Sequence, residues 1–345
     1  MSAPLINVGS AVSAGPTPAG ATKKKLSTAA RKRMEIGLFA GPALLFYVTL
    51  VILPIALAAV YSVFRWDGLG PLVDPTCIDA YAASGSQGPN YCNRFVGIDN
   101  YTRALTDQTF LGAIRNNFFI VALSLLIQGP VAIGIALLLN RKMRGRSVLR
   151  LLIFIPYVLS EVVAGLAWKL LLLPNAGFDT LLEFFGWRGD KPNWLAEPDL
   201  VMWTMFGILT WKYIGFAVLL MLAGLQGVPE ELGEASQIDG ASWWQTQRYI
   251  TLPLLGPTIR IWAFLSIIGA LQLFDMVWVT TKGGPNFASA TMATYLVEIG
   301  SSRQQIGYGT AVAVILFVIS LVIALVYQRF ALNRDLEGAT TGRGK

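Results

Sequence analysis

Six stretches of this sequence are long and apolar enough to cross a lipid bilayer, a requirement of roughly 20 residues each. They run over residues 36–64, 118–139, 149–173, 200–225, 259–280 and 310–330, and they limit the fold more tightly than any motif does. Helices of a soluble bundle would each keep a polar face, and these stretches do not. The expected fold is therefore all-α, a polytopic transmembrane helical bundle over residues 36–331. Pro54, Pro130 and Pro156 fall inside the first three stretches and mark expected kinks. Membrane helices tolerate such prolines because neighbouring groups satisfy the freed backbone.

A hydrophobic content of 54% with 14% charged residues is too apolar for a soluble globule. The formal net charge of +7 is not laid out as a basic face with interleaved aromatics, so nucleic acid is not an expected partner. Instead the basic residues cluster beside the apolar stretches and set topology. Lys23, Lys24, Lys25, Arg31, Lys32 and Arg33 precede the first stretch, and Arg141, Lys142, Arg144, Arg146 and Arg150 follow the second. Both clusters belong in the cytoplasm. Six crossings return the C-terminus, with Arg329, Arg334, Arg343 and Lys345, to the same side of a cell membrane.

Residues 1–35 then form a cytoplasmic tail, whose first 22 residues are rich in Ala, Gly, Pro, Ser and Thr and are expected to be disordered. Residues 332–345 form a second cytoplasmic tail. A cleaved signal peptide ending near Ala56–Ala59 is the alternative at the N-terminus, opposed by an apolar run too long for an h-region. Residues 65–114 make a long extracytoplasmic loop holding both cysteines, Cys77 and Cys92. Two thiols on the oxidising side suggest a disulfide, worth about 3 kcal/mol for a loop of this length. Two free thiols in a flexible insertion is the other reading.

The chain has no histidine, which excludes imidazole bases, Ser/His and Cys/His nucleophilic pairs and His-based metal centres. It also lacks the GxxxxGK[ST] pattern of a phosphate-cradling loop. No catalytic residue, metal site or bound cofactor is expected, and the chain is not read as an enzyme. Any nucleotide energy has to come from a partner.

Between the fourth and fifth stretches, residues 234–253 read EASQIDGASWWQTQRYITLP, polar-rich and on the cytoplasmic side. Pro229 at a first helical position, followed by Glu230 and Glu231, suits a helix start. Leu232, Ala235 and Ile238 recur on one face. Asp239-Gly240 is a turn pair whose glycine accepts a positive φ, and a second short helix is expected from Ala241 to Tyr249. Gly233, Ala235, Ser236, Gly240 and Ala241 are small enough to let another protein approach closely. The alternative is an amphipathic pair lying on the membrane with Trp243 and Trp244 at the headgroups. Glu230, Glu231, Glu234 and Asp239 oppose it, since an anionic leaflet repels them.

Glu234-Ala235-Ser236, then Gly240, then Ile250-x-Leu252-Pro253 resembles the EAA loop of ABC-importer permeases: EAA, three residues, G, nine residues, I-x-L-P. Ser236 stands where that pattern has its second alanine. Other strings are similar to the carbohydrate branch of these permeases, the maltose and glycerol-3-phosphate uptake type. They are Leu222-Ala223-Gly224-Leu225-Gln226, Ile155-Pro156, Ala164-Gly165-x-x-Trp168, Trp211-Lys212-x-x-Gly215-Phe216 and Thr281-x-Gly283-Gly284-Pro285.

The resemblance implies that residues 226–257 are a coupling loop seated in a cytoplasmic ABC ATPase dimer, which binds the ATP and Mg. It also implies a second, homologous permease that shares the translocation path, and an extracytoplasmic substrate-binding protein that delivers a sugar. Glu234, Ala235, Ser236, Asp239 and Gly240 are then the ATPase-coupling core, with Ile250, Leu252 and Pro253 anchoring the return to the bilayer.

Within the stretches polar groups are costly: a central Lys, Arg or Asp costs about 2.5 to 3.5 kcal/mol even on insertion scales. Glu161, Lys212, Gln272 and Asp275 are therefore candidates for a cavity wall, and Phe274 and Trp278 for stacking on a sugar. The alternative is an internal ion pair for Lys212, or charges that snorkel to an interface. The expected function is the permease subunit of an ATP-driven importer for a sugar or oligosaccharide. Uptake of a sugar phosphate such as glycerol-3-phosphate competes with it, as does, from another class, an ion-driven secondary carrier; no internal repeat supports the carrier.

Overall fold

The structure, a computed structural model, describes residues 28–83, 92–141, 143–175 and 177–332. The expectations for the first 22 residues, for Lys23 to Lys25, for Lys142 and for residues 333–345 lie outside them. Four helical runs are long and apolar enough to span a membrane: Gly37–Tyr61, Gln108–Asn140, Pro198–Leu225 and Ile306–Ala331. Two bent pairs bring the number to six if each counts as one span. These are Arg146–Val158 with Glu161–Leu171, bent by 96°, and Trp243–Leu254 with Gly256–Leu271, bent by 65°.

Two compact units divide within the first run, Met1–Ile55 and Ala56–Lys345. In the first unit the helix begins at Thr28, so residues 28–35, read from the sequence as part of the cytoplasmic tail, are helical. Ala29, Ala30, Arg31, Lys32, Arg33, Met34 and Glu35 are good helix formers, and they extend the apolar helix upstream. Apart from the Val48–Ile52 segment and Pro54, the features described below lie in the second unit.

Three π segments explain how the spans carry proline. Val48–Ile52, Ser124–Gln128 and Gln247–Thr251 each end two residues before a proline, Pro54, Pro130 and Pro253. A proline ring clashes with the carbonyl four residues back and has no N–H to give it. A widened turn just upstream relieves the clash and lets the helix continue.

Three boundaries differ from the sequence reading. The second span starts at Gln108 rather than at residue 118, because the Asp107 carboxylate caps it by accepting the Thr109 N–H at 2.8 Å. Residues 108–114 therefore belong to a helix and not to the loop. The third stretch is broken at Leu159-Ser160. The helix of the fifth stretch ends at Leu271, and after Gln272–Phe274 a short helix, Asp275–Thr280, packs on Glu161–Leu171.

Breaks inside a bilayer leave helix-end carbonyls with no water to bond. At the second break they are met by side chains. Asn117 Nδ2 donates to the carbonyls of Ala270 (2.6 Å) and Leu271 (3.2 Å), while its Oδ1 accepts the Met292 N–H at 2.8 Å. The Thr291 hydroxyl donates to the Leu273 carbonyl at 2.6 Å. Asn116 Nδ2 ties down the following loop through the carbonyls of Ala288 (2.8 Å) and Ala290 (2.9 Å).

The segment between the first two spans is organised rather than loose. Phe64–Arg65 pairs antiparallel with Arg94–Phe95, and short helices cover Pro75–Ala83 and Asp99–Thr106. Asn100 Nδ2 donates to the carbonyls of Ser62 (2.8 Å) and Phe64 (2.9 Å). Cys77 and Cys92 are joined in a disulfide with their Cα atoms 5.7 Å apart.

Candidate functional site

The polar segment after the Pro198–Leu225 span forms two arms. Pro229 sits at the N-cap of the first arm, one position earlier than expected, and the helix runs over Glu230–Ile238. Gly240 then turns the chain with φ +79°, a conformation that a side chain resists. The second arm, Trp243–Leu254, starts with a capping box missed in the sequence: Gln245 N–H donates to Ser242 Oγ at 3.4 Å, and Ser242 N–H donates to Gln245 Oε1 at 2.7 Å.

Between the arms the Ser236 hydroxyl bonds the Gly233 carbonyl and the Thr246 hydroxyl, both at 2.8 Å. Ser236 and Thr246 are 7% exposed, whereas Ile238 is 87% exposed. Serine at this position is therefore an internal fastener, while Leu232, Glu234, Ala235, Ile238, Asp239 and Gly240 present an open face. Ile250 and Leu252 are half-buried at the return and Pro253 is exposed. Arg141, at the end of the second span, lies 4.3 Å over the Trp243 ring and ties the second arm to the bundle.

At the 96° break two consecutive residues of the Pro198–Leu225 helix hold both ends. Lys212, 2% exposed, donates to the carbonyls of Pro156 (3.1 Å), Tyr157 (3.0 Å) and Leu159. An ammonium group has three N–H donors, so all of them are used. Its charge sits at the negative end of the Arg146–Val158 helix. Tyr213 donates to Glu161, the first residue of the next helix, and Asp275 acts on the same tyrosine electrostatically. A Cβ at Gly215 would lie 2.2 Å from the Ile153 carbonyl oxygen, so the helices approach as closely as they do only at glycine. The Trp-Lys-x-x-Gly-Phe string is thus the seam against the broken span.

Of the six residues chosen from sequence for the substrate path, Glu161 accepts the Tyr213 hydroxyl, while the neighbouring Lys212 directs its ammonium to the Pro156, Tyr157 and Leu159 carbonyls. Phe274 and Trp278 stack with ring centroids 5.5 Å apart, and Gln272 is exposed at the helix end. None of the six lines the intramembrane cavity of about 210 Å³, whose polar wall includes Ser124, Gln128, Thr210, Tyr213 and Ser266. Ser124 Oγ donates to Gln128 Oε1 at 2.5 Å and pairs with Ser266 Oγ at 2.7 Å; Thr210 Oγ1 is buried without a partner. Ser124 and Gln128, four residues apart in an apolar stretch, are polar groups that the sequence reading passed over.

Residues 128–334, which contain both the broken spans and the two-armed loop, match the family described as "Binding-protein-dependent transport system inner membrane component". The chain belongs to that family. This permease is 31% identical over 319 residues to the diacetylchitobiose uptake system permease protein NgcF of Streptomyces coelicolor, covering 89% of this chain and 84% of the relative. It is 34% identical to the trehalose/maltose transport system permease protein MalF of Thermococcus litoralis, covering 68% and 79%. The fold of the permease also resembles a chain in the crystal structure of a bacterial alginate ABC transporter in complex with an alginate pentasaccharide-bound periplasmic protein. The TM-score is 0.71 at 21% identity, with 89% of this chain and 96% of that chain covered. The permease is thus a multi-pass component of the inner membrane, and transport rather than catalysis is the work of its family.

Proposed function

We propose that this permease carries a sugar or oligosaccharide inward as one of two membrane subunits, driven by an ABC ATPase docked on Glu230–Leu254 and supplied by an extracytoplasmic binding protein. The observation that carries the reading is the two-armed loop. Its open face combines an apolar stripe with acidic groups, while Ser236 and Thr246 fasten the arms from inside. A rigid lever of this kind transmits a partner's motion to the helices it joins. Transport then requires two arrangements of similar free energy, biased in turn by ligand and nucleotide.

A sugar is favoured by the cavity, where hydroxyl and amide groups alternate with Tyr157, Phe216 and Trp262. The names of the two relatives cited also refer to saccharides. A sugar phosphate is disfavoured because Lys212, the basic group deepest in the last three spans, directs its N–H donors at carbonyls. The Cys77–Cys92 disulfide supports an orientation with that loop outside and both termini in the cytoplasm.

The test is uptake and ATP hydrolysis by the reconstituted complex with its binding protein. Glu234→Lys and Gly240→Pro are expected to leave the permease in the membrane while uncoupling uptake from hydrolysis. Normal sugar uptake by both variants overturns the coupling assignment.

A further inference from the structure

Between the broken third span and the Pro198–Leu225 helix runs a short helix, Gly177–Phe184, whose burial is reversed for an aqueous surface. With each bent pair counted as one crossing, it lies on the same side of the membrane as the disulfide. A helix that faces water turns its apolar stripe inward and its charges outward. Here a carboxylate is inside: Asp179 is 3% exposed, whereas Phe184 and Phe185 are 83% and 81% exposed, and Leu181 and Trp187 lie open with them.

The reversal is held by specific contacts. Asp179 accepts the Asn175 backbone N–H at 2.8 Å and the Trp194 indole N–H at 3.2 Å, and the Phe178 ring meets Trp194 edge-on at 5.1 Å. Phe178 and Trp194 pack in turn on the core that includes Leu172 and Met205, which fixes the helix to the bundle. At the other end Gly186, with φ +89°, closes a Schellman turn: its N–H donates to the Glu183 carbonyl and the Trp187 N–H donates to the Leu182 carbonyl, both at 2.9 Å. The exposed rings therefore stand on a fixed scaffold.

An apolar tip of this size marks a surface that something covers, and what adjoins it indicates the cover. Leu170, Leu171 and Leu173, at the end of the half-span leading into the helix, are exposed as well, so the apolar surface runs from a membrane-crossing helix onto the tip. Arg188 follows at once, exposed and without an ion-pair partner among the described residues, whereas Lys191 pairs with Glu183. Aromatic rings with a cation beside them suit the boundary between acyl chains and headgroups, where the rings settle and a guanidinium reaches phosphate.

We propose that Gly177–Trp187 is an interfacial anchor whose ligand is phospholipid: Leu181, Phe184, Phe185 and Trp187 enter the leaflet on the disulfide-bonded side, and Arg188 meets its phosphates. Seated there, the anchor fixes the depth of the Glu161–Leu171 half-span, whose other end carries Glu161 and the seam with Lys212 and Tyr213.

The test measures depth by electron paramagnetic resonance on the permease, with the subunits that copurify, in nanodiscs of phosphatidylethanolamine and phosphatidylglycerol. Both native cysteines are in the disulfide, so a single added thiol takes the spin label. Labels at Leu181→Cys and Phe184→Cys are expected to show an oxygen-to-nickel-chelate accessibility ratio about threefold or more above that at Asp190→Cys. F184D/F185D is expected to lower the ratio at 181 to that at 190, and F184W/F185W to keep it. Equal ratios at 184 and 190 in the otherwise wild-type protein place the tip in water and overturn the proposal. Shielding of 181 and 184 from both reagents means that protein covers the tip, and overturns lipid as its ligand.

Discussion

The permease interrupts its helices in two very different solvents, and it holds the interruptions by different means. In the two-armed loop, water is at hand for the helix ends, and one glycine turn plus one hydroxyl pair suffices to fix the arms. At Leu159-Ser160 and Gln272–Phe274 the interruptions fall in apolar stretches, and the exposed carbonyls are met by Lys212, Asn117 and Thr291. The contrast teaches that an intramembrane bend depends on specific buried donors, whereas an aqueous bend depends mainly on backbone conformation.

Four substitutions probe that difference. Lys212→Met removes the donors for three helix-end carbonyls, and a loss of about 3 kcal/mol or more is expected. Thermal unfolding of the detergent-solubilised complex measures it, and an unchanged midpoint would show that the bend holds itself. Asn117→Leu strips the second bend of two donated bonds and one accepted bond, with a loss of about 2 kcal/mol expected in the same assay. Gly240→Ala forces a side chain into a left-handed turn at about 1 to 2 kcal/mol. Its cost should appear as faster hydrogen exchange confined to the loop. Ser236→Ala is the mildest, about 1 kcal/mol. It should raise exchange in both arms together without lowering the global midpoint; a global shift would mean the loop is not an independent lever.

Much of this architecture was legible in the sequence for a physical reason: lipid demands long apolar runs, so Pro198–Leu225 was predicted within two residues. The loop could also be read, because its glycine and spacing are local features. A kink was expected at Pro156, and the 96° bend follows it at Leu159-Ser160; the groups that hold that bend, and the break at Gln272–Phe274 altogether, escaped because they are nonlocal. Asn117 bonds residues 153 and 154 positions away, and Lys212 meets carbonyls 53 to 56 positions earlier. The cost of buried polarity singled out Glu161, Lys212, Gln272 and Asp275, with helix packing as the other reading of Lys212; the structure places Lys212 in such a seam, and Ser124, Gln128, Thr210 and Ser266, which line the cavity, were not singled out. The strand pair and the Asp99–Thr106 helix were hidden inside a segment whose turn residues suggested only a loop.

The widened turns before Pro54, Pro130 and Pro253 have a further meaning when the helix is regarded as a ruler. Each amounts to one inserted residue, and an insertion rotates everything beyond it by about 100° relative to an unbroken helix. Between Gln108 and Asn140 the two halves are therefore out of phase: Asn117 before the turn and Ala132 and Ala136 after it are all buried. Straightening Ser124–Gln128 into a regular helix without removing a residue would turn the far half by about 100° toward the wrong neighbours, whereas removing one residue at the same time would keep its phase. The prolines thus record where the span was re-aimed.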